Sequence, residues 1–312
     1  MRCLVTGSSG FIGGHLVEHL AARSFDVHAM DSAPAAPSRG VVAHAVSLLD
    51  RSAVERCLAQ ARPEWVFHLA AQSYPGASWD APAETFRVNV IGTLNLLEAV
   101  RSAGLRPRVV VACSSAEYAR DAGDRPLAED ARLQPSSPYG ISKLAVDQLS
   151  RLYFERFGLD TVRARPFFLV GPGKRGDFCS DWARGIADIE AGRANRLAVG
   201  DLEIVRDLLD VREGVEAFCV LAERGRGGEV YNVCSGRGYV LREALEIYRS
   251  LARVPVRAVA DPARLRPLDE RTRVGDPGKL RALDWTPKRP IRETLEEILD
   301  YWRAKTRAAE GG

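Results

Sequence analysis

The stretch Thr6-Gly7-Ser8-Ser9-Gly10-Phe11-Ile12-Gly13 decides the fold. It follows the short run Arg2–Thr6 and leads into residues 14–20, with Ile12, Leu16 and Leu20 recurring every four positions. A strand, a glycine turn and an amphipathic helix therefore succeed one another directly. Glycines 7, 10 and 13, spaced G-x-x-G-x-x-G, let the backbone turn tightly and come close to a pyrophosphate. The free N–H groups and positive dipole end of the helix then bind that anion. Between a first strand and a first helix, this spacing predicts a dinucleotide site drawing on Gly7, Ser9, Gly10, Phe11 and Ile12.

Outward from the glycines, the run Phe25–Met30 ends at Asp31. A carboxylate at the end of a second strand accepts hydrogen bonds from both adenosine ribose hydroxyls and repels a 2′-phosphate, so NAD(H) is favoured and NADP(H) is left open. Val41–Leu49 reads as a third strand, Ser52–Gln60 as a helix and Glu64–Ala71 as a fourth strand. Pro82 opens a long helix through Val100, and Arg108–Cys113 is a fifth strand. Strands alternating with helices in this way predict an α/β fold with a doubly wound parallel sheet. Ligands bind at the carboxyl ends of such strands, which turns Ser114 toward the cofactor cleft.

Further along, Ser137-Pro138-Tyr139-Gly140-Ile141-Ser142-Lys143 sets a phenol and an amine four residues apart at the start of a helix. Positions i and i+4 share a face. The Lys143 ammonium is therefore expected beside the Tyr139 hydroxyl, lowering its pKa from about 10 toward neutrality. Such a spacing also occurs on solvated helix faces, and the rest of the chain gives it its weight.

The 312 residues, 46% hydrophobic with a net charge of +3, allow a large α/β domain or two modest ones and call for neither a nucleic-acid nor a membrane partner. The six cysteines are scattered and read as buried thiols in a reducing compartment. With a strand from Arg2 and no apolar run as long as a membrane span, a soluble cytoplasmic protein is expected. His15 and His19 stand at metal-ligand spacing but lack a third ligand, so surface imidazoles and no metal site are expected. The five tryptophans are dispersed and read as packing.

Taken together, the glycine stretch, His68-Leu69-Ala70-Ala71, Ser114 and the Tyr139/Lys143 pair resemble the extended short-chain dehydrogenase/reductases that act on nucleotide sugars. In the second half, Arg165-Pro166-Phe167, Gly171-Pro172-Gly173, Val199-Gly200-Asp201, Arg206–Val211, Glu229–Gly236, Asp261–Pro267 and Trp285-Thr286-Pro287 look like the GDP-4-keto-6-deoxy-D-mannose reductases, which make GDP-D-rhamnose. The resemblance implies a Rossmann-type cofactor domain over residues 1–165, to which parts of 205–240 return, and a smaller interleaved substrate domain over 166–312. It implies catalysis by Ser114, Tyr139 and Lys143, the last two also touching the cofactor. Ser47, Leu48, Leu69, Ala70, Ala71 and Pro166 complete the cofactor set, and Ser115, Phe168, Arg175, Arg206 and Arg266 are the expected substrate contacts. A GDP-linked nucleotide sugar is the implied substrate, and a homodimer formed through the helices near 82–101 and 138–157 the implied assembly.

Position 116 narrows the reaction. Resembling 4,6-dehydratases carry a Glu two residues after the catalytic hydroxyl, whereas this chain has Ala116, and Glu117 stands one place out of register. A methyl group transfers no proton, so reduction of a 4-keto sugar is the leading expectation. A 4-epimerase retaining its NAD is the alternative, and a dehydratase or a silent cofactor-binding scaffold ranks lower. Phe168-Leu169 replaces the usual Asn-His, which leaves the sugar nucleotide open, and Ser47 replaces an Asp that commonly contacts adenine.

Overall fold

The computed structural model describes residues 1–34, 40–120, 125–264 and 270–308. Its strands in chain order are β1 (Arg2–Thr6), β2 (Asp26–Asp31), β3 (Val41–Ala45), β4 (Trp65–His68), β5 (Arg108–Ala112), β6 (Thr161–Pro166), β7 (Phe168–Val170), β8 (Leu197–Val199), β9 (Val205–Asp210), β10 (Val230–Val233), β11 (Gly238–Val240), β12 (Ala258–Ala260) and β13 (Thr272–Arg273).

Cys3, Leu4 and Val5 of β1 are fully buried, as are Val109, Val110 and Val111 of β5. Residues buried on alternate sides of the same strand require cover on both faces, which is the condition for a parallel sheet. The large sheet runs β10-β6-β5-β4-β1-β2-β3, and each of its pairings is parallel. Strand order reverses direction between β1 and β4, and the loops leaving those two strands enclose the crevice where such sheets bind ligands. The third and fourth strands end sooner than their apolar runs, at Ala45 and His68, so Val46–Leu48 and Leu69–Ala71 become loop at that carboxyl edge.

The helix expected from Pro82 is broken in its course: Pro82–Phe86 and Gly92–Ser102 are joined by a π-helical turn at Arg87–Ile91. The wide turn carries Asn89, which is buried beneath the crevice edge. The Pro138–Phe157 helix starts at Ser137, whose hydroxyl accepts the Gly140 N–H, and stops at Gly158 in the left-handed region, φ 66°.

Beyond β6 the chain builds a second, smaller layer. β7, β11 and β13 each pair with β9, and β8 pairs with β12. Val170, Trp182, Ile186, Leu208, Leu245 and Leu295 form its separate apolar core. Within 205–240, the Val211–Arg224 helix and β10 return to the large sheet, whereas β9 and β11 stay in the small one. All six cysteines are buried and unpaired, and burial pushes their thiols up, Cys57 to about 11. Among the described residues no helix is long and apolar enough to cross a membrane.

Candidate active site

Gly7 has φ +70°, and a Cβ there would lie 2.7 Å from the Ala70 Cα. A Cβ on Gly13 would lie 2.0 Å from the Gly7 carbonyl oxygen. Bare backbone is thus what lets the β1 loop, the β4 loop and the first helix meet. The Phe11–Ala22 helix begins at Gly10 with no side-chain cap, so its N-terminal N–H groups are left for a ligand. At the end of β2, Asp31 accepts the Ser9 N–H at 3.1 Å and the Ala33 N–H at 3.3 Å. This cradle fits a dinucleotide, with its pyrophosphate over the glycines and its adenosine ribose toward Asp31.

A cavity of about 1930 Å³ opens over the cradle. A pocket for one small ligand has about 300–1,000 Å³, so this one has room for two. From the loops after β1 to β4 it takes Gly7, Ser9, Gly10, Phe11, Ile12, Asp31, Ser47, Leu48, Leu69, Ala70 and Ala71. The β5 loop and the 138–157 helix add Ser114, Ser115, Ala116 and Tyr139, and Pro166, Phe168, Arg175 and Arg206 follow from β6 onward. Arg206 Nη1 donates to the carbonyls of Val205 and Glu270, and Arg266 lies outside the described residues.

Ser114 and Tyr139 both line the cavity, and the Ser114 side chain lies close enough to the phenol to draw its pKa down. Lys143 behaves otherwise than expected. It is buried, and its ammonium donates to the Ala112 carbonyl at 2.7 Å. Burial is the largest influence on the phenol and pushes Tyr139 up to about 12, with Ser114 pulling the other way. The expected drop toward neutrality does not appear, since burial is the largest influence on the phenol and the Lys143 ammonium is engaged by the Ala112 carbonyl. Burial likewise lowers the pKa of Lys143. At neutral pH the phenol is an intact acid.

Beneath this pair lies a buried polar chain with a single consistent proton arrangement. Thr93 Oγ1 donates to the Asn89 carbonyl at 2.6 Å, so it must accept from His68 Nε2 at 2.8 Å. His68 Nδ1 then accepts from Thr6 Oγ1 at 2.8 Å, and Thr6 Oγ1 in turn accepts the Ala70 N–H. Burial pushes His68 down to about 3, which keeps it in this neutral tautomer. Asn89 donates to the Gln72 carbonyl and to Ser142 Oγ, and Ser142 donates to the Tyr139 carbonyl at 2.7 Å. From above, Ser78 Oγ accepts the Tyr139 N–H at 3.1 Å. The start of the tyrosine helix is thereby fixed to the ends of β1 and β4.

Glu117 is fully buried. Its Oε1 accepts the Ser114 N–H at 2.7 Å and its Oε2 accepts Arg165 Nε at 3.1 Å. Ala116 lines the cavity there and Glu117 does not. Cys113, Glu117 and Asp147 cluster as metal ligands could, yet Arg163 and Arg165 already neutralise both carboxylates.

Three further expectations change. His15 is no loose surface imidazole, since its Nε2 lies 3.1 Å from the Pro172 carbonyl and links the first helix to the Gly171-Pro172-Gly173 turn. Trp79, read as packing, is 57% exposed and lines the cavity beside the exposed Tyr74. Lys174 lies over the Phe168 ring at 4.4 Å and contacts Asp177 at 3.0 Å, so a cation occupies the neighbourhood of the missing amide. Glu117 carries a local signal, the capping spacing S-x-x-E from Ser114, and His68 stands in the His68-Leu69-Ala70-Ala71 motif, whereas Thr93 and Asn89 have none.

The family described as GDP-mannose 4,6 dehydratase matches residues 4–298. The chain belongs to that family. The GDP-6-deoxy-D-mannose reductase of Pseudomonas aeruginosa (strain PAO1) is 36% identical to it over 98% of each chain. The UDP-glucose 4-epimerase of Mycolicibacterium smegmatis is 29% identical over 98% of this chain and 100% of the relative. A solved structure of RMD from Pseudomonas aeruginosa complexed with NADPH superposes with a TM-score of 0.86 at 33% identity, covering 98% of this chain and 100% of that one. This member of the GDP-mannose 4,6 dehydratase family shares the nicotinamide-cofactor fold of these enzymes, and carries a methyl at position 116.

The state of the phenol can be read directly. Difference absorbance between the cofactor-free protein and Tyr139→Phe should show no phenolate from about pH 7 to about pH 10. A phenolate appearing near pH 7 would instead show that Lys143 controls the pair.

Proposed function

We propose that this chain reduces the 4-keto group of a GDP-linked 6-deoxyhexose. One observation carries the reading: Ser114 and Tyr139 line a cavity with room for cofactor and sugar nucleotide, while Glu117, the carboxylate next to position 116, is sealed away from it. Bound nicotinamide supplies the hydride for C4. Tyr139, protonated at neutral pH, gives its proton to the C4 oxygen. Ser114 donates a hydrogen bond to the same oxygen and orients it. Lys143, whose ammonium rests on the Ala112 carbonyl, is the donor for the cofactor ribose. Elimination between C5 and C6 needs a carboxyl where Ala116 stands.

On this reading the large sheet carries the cofactor, and the smaller layer brings Phe168, Arg175 and Arg206 to the nucleotide sugar, with guanidinium matching diphosphate. Asp31, already acceptor to the Ser9 N–H, favours NADH, since a 2′-phosphate would meet its charge. The relative whose structure holds NADPH makes NADPH the natural second arm of the test. Six buried free thiols suit a reducing, cytoplasmic setting.

Incubation with GDP-4-keto-6-deoxymannose should oxidise NADH stoichiometrically, and NADPH with a higher KM. Tyr139→Phe should lower kcat by about 10²–10⁴-fold. Product formed without added cofactor, with NAD retained in the purified protein, would establish the epimerase instead. No oxidation with any 4-keto sugar nucleotide would overturn the reductase reading.

We also propose a homodimer. Ile141 and Leu152 are exposed and share one stripe of their helix with the half-exposed Ala145 and Gln148, and Ile91 is exposed on the neighbouring helix. Unpartnered apolar stripes on adjacent helices suit a bundle with a second copy. Light scattering should give twice the monomer mass, falling to one with Ile141→Glu and Leu152→Glu together; a wild-type monomer would contradict it.

A further inference from the structure

Ser114 ends up beside Tyr139 through contacts that involve neither substrate nor cofactor. Ser114 stands two residues past the end of β5 and caps the single 3₁₀ turn Ser115–Glu117. Ser114 Oγ accepts the Ala116 N–H at 3.1 Å while Glu117 Oε1 accepts the Ser114 N–H at 2.7 Å. This reciprocal cap fixes both the backbone and the side chain of Ser114.

The other oxygen of Glu117 faces Arg165, at the end of β6 and 2% exposed. Arg165 Nε is also 3.1 Å from Asp147 Oδ2, and Arg163 Nη1 takes Asp147 Oδ1 at 2.6 Å. Asp147 stands on the helix of Tyr139, two turns on and on the same face, at i+8. Arg165 Nη1 donates to the Tyr118 hydroxyl and to the Glu129 carbonyl, both at 3.0 Å, and Tyr118 donates to Asn232 at 2.7 Å. The guanidinium is thus a strut, anchored on β10 and the 129 loop, between the turn that carries Ser114 and the helix that carries Tyr139.

Buried ion clusters of this kind add little stability, because desolvation offsets their attraction, and well-packed apolar replacements often serve the fold as well. What an apolar cluster lacks is direction. The hydrogen bonds here are directional, Arg165 Nε reaching Glu117 and Asp147 alike, and together they hold the turn of Ser114 against the helix of Tyr139.

We propose that Glu117 is a positioning residue: tied through Arg165 to Asp147, it sets Ser114 against Tyr139 so that both hydroxyls reach one carbonyl oxygen. The proposal rests on the reductase reading for its kinetic consequence but not for the geometry. Two measurements separate the two. In a kinetic cycle, Glu117→Gln keeps the side-chain shape and removes one of the two acceptors; kcat should fall about tenfold or more with KM changed less than about threefold. Added to Ser114→Ala, the same substitution should cost less than about twofold, because its route to the chemistry is already gone. Equal losses in both backgrounds would make Glu117 merely structural and overturn the proposal.

The second readout needs no turnover. The isotope-labelled ring-carbon resonance of Tyr139 should move with Ser114→Ala, move the same way with Glu117→Gln, and move no further when the two are combined. A resonance unmoved by Glu117→Gln would overturn the proposal even if the enzyme is active; normal resonance behaviour with an inactive wild type would overturn only the reductase reading. Should Glu117→Gln fail to fold, Asp147→Asn, which loosens the strut from its other end, carries the same cycle with the same expectations. Failure of both to fold would make the cluster a requirement of the fold and sink the positioning role.

Discussion

The placement of the Ser114 hydroxyl beside the Tyr139 phenol is the constraint on which the site depends, because it brings together side chains from two elements that share no local sequence. Its geometry is held on the Tyr139 side by Ser78 above and by Ser142 and Asn89 below. On the Ser114 side it is held by the capping turn and Glu117. A carbonyl placed against both hydroxyls meets donors that need no reorganisation when charge develops on its oxygen, and such preorganisation is worth most where water is excluded.

The same economy of parts explains the cofactor side. Gly7 and Gly13 let three pieces of backbone come into contact, and the uncapped helix start and Asp31 offer the donor and acceptor groups a dinucleotide needs. Thr6 and His68, at the ends of β1 and β4, lock these loops together through a neutral imidazole with one tautomer. Charging that imidazole would require a donor where Nδ1 now accepts from Thr6. Burial and hydrogen bonding therefore agree on its state.

Local sequence made much of this legible. The glycine spacing, the strand ends at Asp31 and Ser114, and the i, i+4 pair at Tyr139 are short-range patterns, and the parallel sheet follows from their alternation. Ala116 could be judged from one position because a methyl group has no proton to transfer. What escaped were features set by distant partners. The register of Lys143 places it on the right face, but its contact with Ala112 and the cost of burying the phenol are tertiary facts. The role of Glu117 depends on Arg165, a residue of β6 distant in sequence, whose guanidinium donates to its second oxygen. The exposure of Trp79 and the π turn at Asn89 follow from packing around the crevice, for which dispersed tryptophans and a good helix pattern give no cue.

The central claim is that hydride passes from the cofactor to C4 of the sugar and stays there. It is tested most directly by following a deuterium label from the reduced carbon of NADH, with GDP-4-keto-6-deoxymannose as acceptor. One deuterium at C4 of the product, with an equal amount of cofactor oxidised, is the result predicted. Product without label at C4, or label returned to the cofactor with no net oxidation, would contradict it.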